Sequence, residues 1–275
     1  MEIITSRQNP LVKTVAALTE KKKRKETETF RLDGKKLVSE AVESGMMLSA
    51  ILLREDAAAS FLPLCEDACE KGLLPRDRIV TVSASVFEKL TEEKSPEGII
   101  GVAMMPKNLH VTATSAGLSS CVGRNEKILL AESLRDPGNL GTVMRSCAAL
   151  GIDRLILSDD CADLYSPKTV RAAMGALFRL PTVTVASKDF ADAVSALRAQ
   201  GRRVYATALH REARVIGSFA LATGDCFVIG NEGHGLSERV IAACDACAII
   251  PMREGAESLN AAAAAAICIW ETVRA

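Results

Sequence analysis

Ile229-Gly230-Asn231-Glu232-Gly233-His234-Gly235 is followed, about fifteen residues on, by Ile250-Pro251-Met252 and then by Glu257-Ser258-Leu259-Asn260. Cys226 to Ile229 is an apolar run that reads as a strand entering the first loop. Ala246 to Ile250 reads as a second strand entering another loop, with an alanine-rich helix after it. Strand ends that feed glycine loops and helix starts are where α/β proteins build ligand sites. The stretch therefore predicts an α/β fold with a cofactor slot between two strand ends.

Working outward, the same alternation continues upstream. Lys127–Ala131, Arg154–Leu157, Val183–Val185 and Val204–Thr207 read as strands. Asp136-Pro137-Gly138-Asn139-Leu140-Gly141 reads as a turn and helix start, with the helix running to Leu150 and closing at Gly151. Further helices start at Ser166-Pro167 and span Asp189–Gln200, Ser237–Ala243 and Ser258–Val273. The first third repeats the alternation on a smaller scale. Strands Phe30–Gly34, Met47–Leu53, Ile79–Val82 and Ile99–Met104 alternate with helices Lys35–Ser44, Ala57–Lys71 and Ala84–Leu90. Asn9-Pro10 opens an earlier helix with Leu11, Val15 and Leu18 on one face. Between the two parts, 105–125 is rich in Ser, Thr, Gly and Asn. The division expected is a small α/β/α domain over 1–105, a linker over 106–125 and a second α/β domain over 126–275.

Composition bounds the function. Apolar residues are 48% and charged residues 25%, the balance of a soluble globular protein. Aromatics are only 4%, so aliphatic side chains must fill the core. Formal net charge is zero, which excludes a uniformly basic surface, so any nucleic-acid contact must be local. Residues 1–36 hold ten Lys/Arg against five Asp/Glu, whereas 37–105 hold six against twelve. Lys21-Lys22-Lys23-Arg24-Lys25 sits in the basic part. Such a run is ordinarily a solvated helix end, but this polarised setting suits a phosphate backbone. Nine cysteines without an apolar leader point to a reducing cytoplasm. The longest apolar run, Ala261 to Trp270, is about half a membrane span.

Several side chains carry possible chemistry. Asn139 and Arg145 lie six apart on one predicted helix, with Thr142 between them. A capping asparagine and a surface arginine are the plain alternative. Gly230 to Gly235 has the order G-x-x-G-x-G, not the dinucleotide order G-x-G-x-x-G, which disfavours a nicotinamide dehydrogenase. Its glycines permit close approach of backbone to a ligand, although a plain strand-to-helix loop reads the same way. Glu232 places a carboxylate there, and His234 reads as solvent-facing. Pro251 stops strand pairing and frees backbone groups near it. Ser258 or Glu257 is expected to cap the last helix, with Asn260 on its first turn. Cys244 with Cys247, and Cys65 with Cys69, lack the second pair that a metal site needs, so no metal is expected.

Taken together, Asn139-Leu140-Gly141 with Arg145, Gly230-Asn231-Glu232-Gly233 with Gly235, and Ile250-Pro251-Met252 with Ser258-Leu259-Asn260 resemble the motifs of the SpoU/TrmH family of SPOUT RNA methyltransferases. The first domain resembles the substrate-binding domain often fused to them, through Phe30-Arg31-Leu32-Asp33-Gly34 and Gly98-Ile99-Ile100-Gly101-Val102-Ala103. The resemblance implies methyl transfer from S-adenosylmethionine to a ribose 2′-hydroxyl of RNA, foremost ribosomal RNA. It also implies a trefoil-knotted domain and a homodimer with a shared active site. By position, the cofactor slot would be Thr207, Leu209, Gly230, Ile250, Met252 and Leu259. The catalytic set would be Arg145 with Asn139, Glu232, Ser258 and Asn260, and Lys21, Lys22, Lys23, Arg24 and Lys25 would meet RNA. A guanidinium stays protonated, so Arg145 is read as a clamp on phosphate or ribose rather than as a base. Ala172-Ala173-Met174-Gly175 stands where many relatives carry a serine. A transfer RNA substrate, base methylation, or a non-catalytic RNA-binding protein on the same fold are the alternatives.

Overall fold

The apolar runs pair into two sheets in a computed structural model that describes residues 3–93, 95–210, 212–253 and 258–274. The chain forms two units, Met1–Pro106 with Asp163–Phe178, and Lys107–Ala162 with Arg179–Ala275.

The first unit contains β1 (Ile3–Ile4), α1 (Pro10–Ala17), α2 (Lys21–Thr27), β2 (Thr29–Asp33), α3 (Lys35–Glu43), β3 (Leu48–Arg54), α4 (Ala58–Glu70), β4 (Ile79–Val82), α5 (Ala84–Leu90) and β5 (Ile99–Met104). The sheet order is β1-β4-β3-β5-β2, with β5 antiparallel to both neighbours. Asn9 caps α1 by accepting the Leu11 N–H at 2.9 Å, with Pro10 in the first turn where its missing donor costs nothing. That orients Val12, Val15 and Leu18 into a core with Leu52, Val86 and Phe87, while Leu11 is only half-buried.

The second unit runs β6 (His110–Thr112), α6 (Leu118–Cys121), β7 (Ile128–Ala131), α7 (Pro137–Leu150) and β8 (Arg154–Ser158). Helix α8 (Pro167–Ala173) belongs to the first unit, and the chain then resumes with β9 (Thr182–Val185), α9 (Phe190–Ala199), β10 (Val204–Thr207) and β11 (Arg214–Val215). It ends with β12 (Cys226–Ile229), α10 (Glu238–Ala243), β13 (Ala246–Ile249) and α11 (Ala261–Arg274). All neighbours in the order β11-β13-β10-β12-β7-β8-β9-β6 are parallel. Ile128–Ala131 and Cys226–Ile229 are buried at every position, as expected of central strands in a parallel sheet with both faces covered. Parallel pairing also brings the carboxyl ends of β7, β10, β12 and β13 to one edge, and the loops of the opening sequence leave from there.

Three expectations are corrected. The polar stretch 106–125 does not run as a free connector. His110–Thr112 pairs in register with Thr182–Thr184, and Leu118 and Val122 are buried in the second core. A three-residue edge strand among Ser and Thr leaves too little apolar pattern to be seen. The basic run, read as a solvated helix end or a phosphate-binding patch, forms a separate short helix, α2, closed by Glu28 in the left-handed region at φ 53°. The last helix begins at Ala261 rather than at Ser258. Among the described residues no helix is long and apolar enough to cross a membrane.

Candidate functional site

Gly230 leaves the end of β12 into a loop that closes on itself. The Asn231 N–H donates to the Gly235 carbonyl at 3.0 Å and the Gly235 N–H donates back at 2.9 Å. A Cβ at Gly230 would lie 2.4 Å from the Gly235 carbonyl carbon and 2.5 Å from the Leu236 nitrogen, so only glycine fits. The Asn231 side chain holds the loop from inside. Its Oδ1 accepts the Gly233 N–H at 2.8 Å and the His234 N–H at 3.2 Å, and its Nδ2 donates to the Ser133 carbonyl at 2.7 Å.

Beside this loop is a pocket of about 450 Å³, within the size range of small-molecule sites. Thr207, Leu209, Gly230, Ile250, Met252 and Leu259 all line it. Leu209 is 80% exposed, Leu259 40% and Met252 36%. Large aliphatic side chains gathered at a pocket and left in water gain most from a flat apolar ligand face laid over them. Thr207 spends its hydroxyl proton on the Val228 carbonyl at 2.9 Å, so its donor serves the sheet.

One hydrogen-bond chain joins the three sequence segments at the rim. Asn260 Nδ2 donates to Asn139 Oδ1 at 2.9 Å, and Asn139 Nδ2 donates to Glu232 Oε1 at 2.9 Å. The Asn260 amide is oriented by α11, whose Ala262 and Ala263 N–H groups donate to its Oδ1 at 2.9 and 3.3 Å. A carboxylate only accepts, so both ends dictate how the Asn139 amide lies. Glu232 is exposed, and its Oε2 has no hydrogen bond from another described residue. Ser258 and Glu232 also line the pocket. Arg145 does not line it; it is exposed and has no hydrogen bond or ion pair to another described residue. Helix geometry puts it about 9 Å along α7 from Asn139 and roughly a third of a turn around. Glu232 and Ser258 thus line the pocket, Asn139 and Asn260 are linked to it through Glu232, and Arg145 is outside both the lining and this hydrogen-bond chain.

Several expectations change. Asp136, not Asn139, caps α7; its Oδ1 accepts the Asn139 N–H at 2.8 Å, with Pro137 as the first helical residue. Asn139 is therefore inside the first turn and its side chain is free to meet Glu232 and Asn260. The Asp-Pro pair carried that signal. Asn260 itself caps α11, in place of Ser258; Glu257 lies outside the described residues. In the basic run, Arg24 is only 3% exposed. Its Nη1 donates to the Leu18 and Thr19 carbonyls at 2.7 and 2.8 Å, and its Nη2 to Asp163 at 2.6 Å. Arg24 is thus a buried strut, not an RNA contact. Lys21, Lys22 and Lys25 are exposed, and Lys23 pairs with Glu26 at 3.4 Å.

His234 is exposed. All nine cysteines are free, and burial pushes Cys244 up to about 12, far from a reactive thiolate. No group of three metal-ligating side chains occurs among the described residues.

The sequence reading missed Glu132. It is 8% exposed, and its two oxygens accept the Ser237 N–H at 2.8 Å and the Ser237 hydroxyl at 2.7 Å, at the start of α10. A partner 105 residues away leaves no local signal.

The comparisons with known proteins agree with one another. A model described as the SpoU rRNA Methylase family matches residues 126–270, and one described as the MRM3-like substrate binding domain matches residues 9–101. The chain is 34% identical to the 23S rRNA (guanosine(2553)-2'-O)-methyltransferase RlmP of Bacillus subtilis (strain 168), over 98% of each. It is 32% identical to a 23S rRNA (uridine(2479)-2'-O)-methyltransferase of Streptomyces viridochromogenes, over 98% of this chain and 91% of the other. Among solved structures, the AdoMet-bound rRNA methyltransferase from Sinorhizobium meliloti superposes with a TM-score of 0.83 at 29% identity, over 99% of this chain and 97% of that one.

Proposed function

The chain belongs to the SpoU rRNA methylase family, and from that premise we propose that its pocket holds S-adenosylmethionine and that the methyl group goes to a ribose 2′-hydroxyl of ribosomal RNA. It is an S-adenosylmethionine-dependent RNA methyltransferase. The observation that carries the site assignment is the chain Asn260–Asn139–Glu232, which unites the three motif segments at the pocket rim. The residues present suit the cofactor. Leu209, Met252 and Leu259 offer an apolar cover for a purine, Gly230 leaves no side chain in the loop's tightest turn, and Glu232 offers a carboxylate to a cation.

The bound cofactor supplies a methyl group already activated on a sulfonium. With that cofactor bound, the 2′-oxygen would take the methyl group while sulfur keeps the bonding pair, so the residues here need only align the hydroxyl and receive its proton. The hydroxyl proton must leave. Glu232 is held by Asn139 through Oε1, which leaves Oε2 to accept that proton or to orient the hydroxyl. Ser258 offers a further hydroxyl at the same rim. Arg145 clamps a phosphate or the ribose with its fork of donors.

Because Arg145 stands apart from the pocket of its own chain, it is assigned to the site of a second copy, which makes the working form a homodimer. In support, α7 and α11 pack on each other and leave Trp270 56% and Leu150 37% exposed. After β13 the chain goes back past β10 to reach β12 and α7, a return that suits the trefoil knot of the family. The first unit is assigned to RNA binding through Lys21, Lys22 and Lys25, and the second to catalysis. Nine free thiols suit a reducing cytoplasm.

Calorimetry with S-adenosylmethionine, followed by mapping of 2′-O-methylation on ribosomal RNA with and without the protein, tests the proposal. Cofactor binding with one new ribose methyl is the expected result. Base methylation, or methylation of transfer RNA alone, would overturn the substrate assignment.

A further inference from the structure

Among the described residues, Ser133 is one of three non-glycine residues with positive φ, at 53°. A serine gains nothing from that backbone region, which strains an L-residue and which glycine occupies freely. Its side chain must therefore do something that glycine could not. Every polar group of Ser133 is engaged. Its N–H donates to Ser158 Oγ at 2.7 Å, its hydroxyl donates to Asp160 Oδ2 at 2.5 Å, and its carbonyl accepts from Asn231 Nδ2 at 2.7 Å. Ser158 Oγ donates in turn to Asp160 Oδ1 at 2.6 Å, and Arg135 reaches the same carboxylate at 3.3 Å.

This places Ser133 between the two elements that must register. Through its carbonyl and Asn231 it fixes the backbone of Gly233 and His234, the loop that carries Glu232. Through the chain it leads, three residues later, to Asp136, which caps the helix that carries Asn139. We propose that Ser133, tied to Asp160 and Ser158, is a positioning residue that holds the Asn231–Gly235 loop against the start of α7, and so sets both the cofactor slot and the Asn139–Glu232 bond. The inference rests on reading the pocket as the cofactor slot. Strain at one residue is accepted for alignment at another.

The test is Ser133→Gly, with Ser133→Ala and Gly230→Val beside it. Glycine relieves the strained φ and removes the Asp160 tie; alanine removes the tie and keeps the strain. Ser133→Gly should melt close to the wild-type temperature, because relief of the strained φ offsets the lost tie to Asp160, yet bind S-adenosylmethionine about tenfold more weakly because the loop and α7 lose their register. Ser133→Ala should lose affinity equally and melt lower than the glycine variant. Wild-type affinity and kcat in Ser133→Gly would overturn the positioning role. So would a fall in melting temperature that accounts for the lost affinity. If wild type and Gly230→Val bind the cofactor equally well, the slot reading itself falls and this inference with it.

Discussion

The rim of the pocket and helix α2 are both places where the sequence offers clustered polar side chains, and the structure treats them in opposite ways. At the rim, Asn139, Glu232 and Asn260 satisfy one another and stay open. Glu232 keeps an oxygen without a described partner. In α2, the one arginine of the run is spent. Arg24 gives three hydrogen bonds inside the first unit and is 3% exposed. What separates the two is unspent hydrogen-bonding capacity rather than charge. A side chain that has already met its partners in the apo fold has little left for a ligand, however basic the segment around it.

The largest effect that can break this contrast is at Arg24. Arg24→Ala leaves Asp163, only 18% exposed, without its cation and strands the Leu18 and Thr19 carbonyls. Breaking a buried pair from one side costs about 3–5 kcal/mol. Urea unfolding should register that loss, while the salt dependence of RNA binding by the folded fraction stays as in wild type. An Arg24→Ala variant of normal stability that binds RNA with a flatter salt slope would return Arg24 to the RNA surface.

Arg145 comes next. It is exposed and without a described partner, the profile of a residue held for a ligand. Arg145→Ala should lower the methylation rate roughly a hundredfold, the scale expected when a positioning group is removed, with the melting temperature unchanged. Arg145→Lys keeps the charge but not the fork, so it should retain RNA binding and still lose most methylation. Full activity in Arg145→Ala would remove the clamp and leave Asn139, Glu232, Ser258 and Asn260 as the polar site.

How far these roles were legible depends on how local their causes are. The central strands could be placed because apolar runs are local patterns, whereas the six residues proposed for the cofactor came from the family resemblance and all line one pocket. Asn260 was placed on the first turn of α11 and proved to be its cap, because Ser258 and Asn260 are both good capping types and only the backbone decides between them. Arg24 was out of reach. Burial of a guanidinium depends on Asp163, 139 residues away, and no apolar periodicity marks the inward position in five consecutive basic residues. Glu132 and Ser133 are likewise defined by distant partners. Their chemistry becomes visible only once β7, β8 and β12 lie side by side.

A smaller effect is expected at the remaining lysines of α2. Lys21, Lys22 and Lys25 are exposed, and none has a hydrogen bond or ion pair to another described residue. Reversing all three to Glu should weaken RNA binding and lower the slope of log K against log salt by up to about 0.7–0.9 for each phosphate that is no longer neutralised. Cofactor affinity should be untouched. An unchanged slope would make the cluster a solvated helix surface and move the RNA face elsewhere on the first unit.

The smallest effect probes the support behind the rim. Burial works to raise Asp160, but hydrogen bonds from Ser133, Ser158 and Arg135 outweigh it and hold the carboxyl below its ordinary 3.8. The folded state therefore favours the charged form. That contribution is present above the ordinary value and is lost as pH falls through the lowered one. Asp160→Asn cannot titrate. Near neutral pH it should melt about 2–4 °C below wild type, for roughly 1 kcal/mol. The gap should close as pH drops below the ordinary carboxylate range. If the gap stays constant down that acid limb, the shape of the side chain rather than its charge holds Ser133. The rim and α2 would then differ only in exposure, because the rim's support would be packing rather than an ionised hydrogen-bond hub.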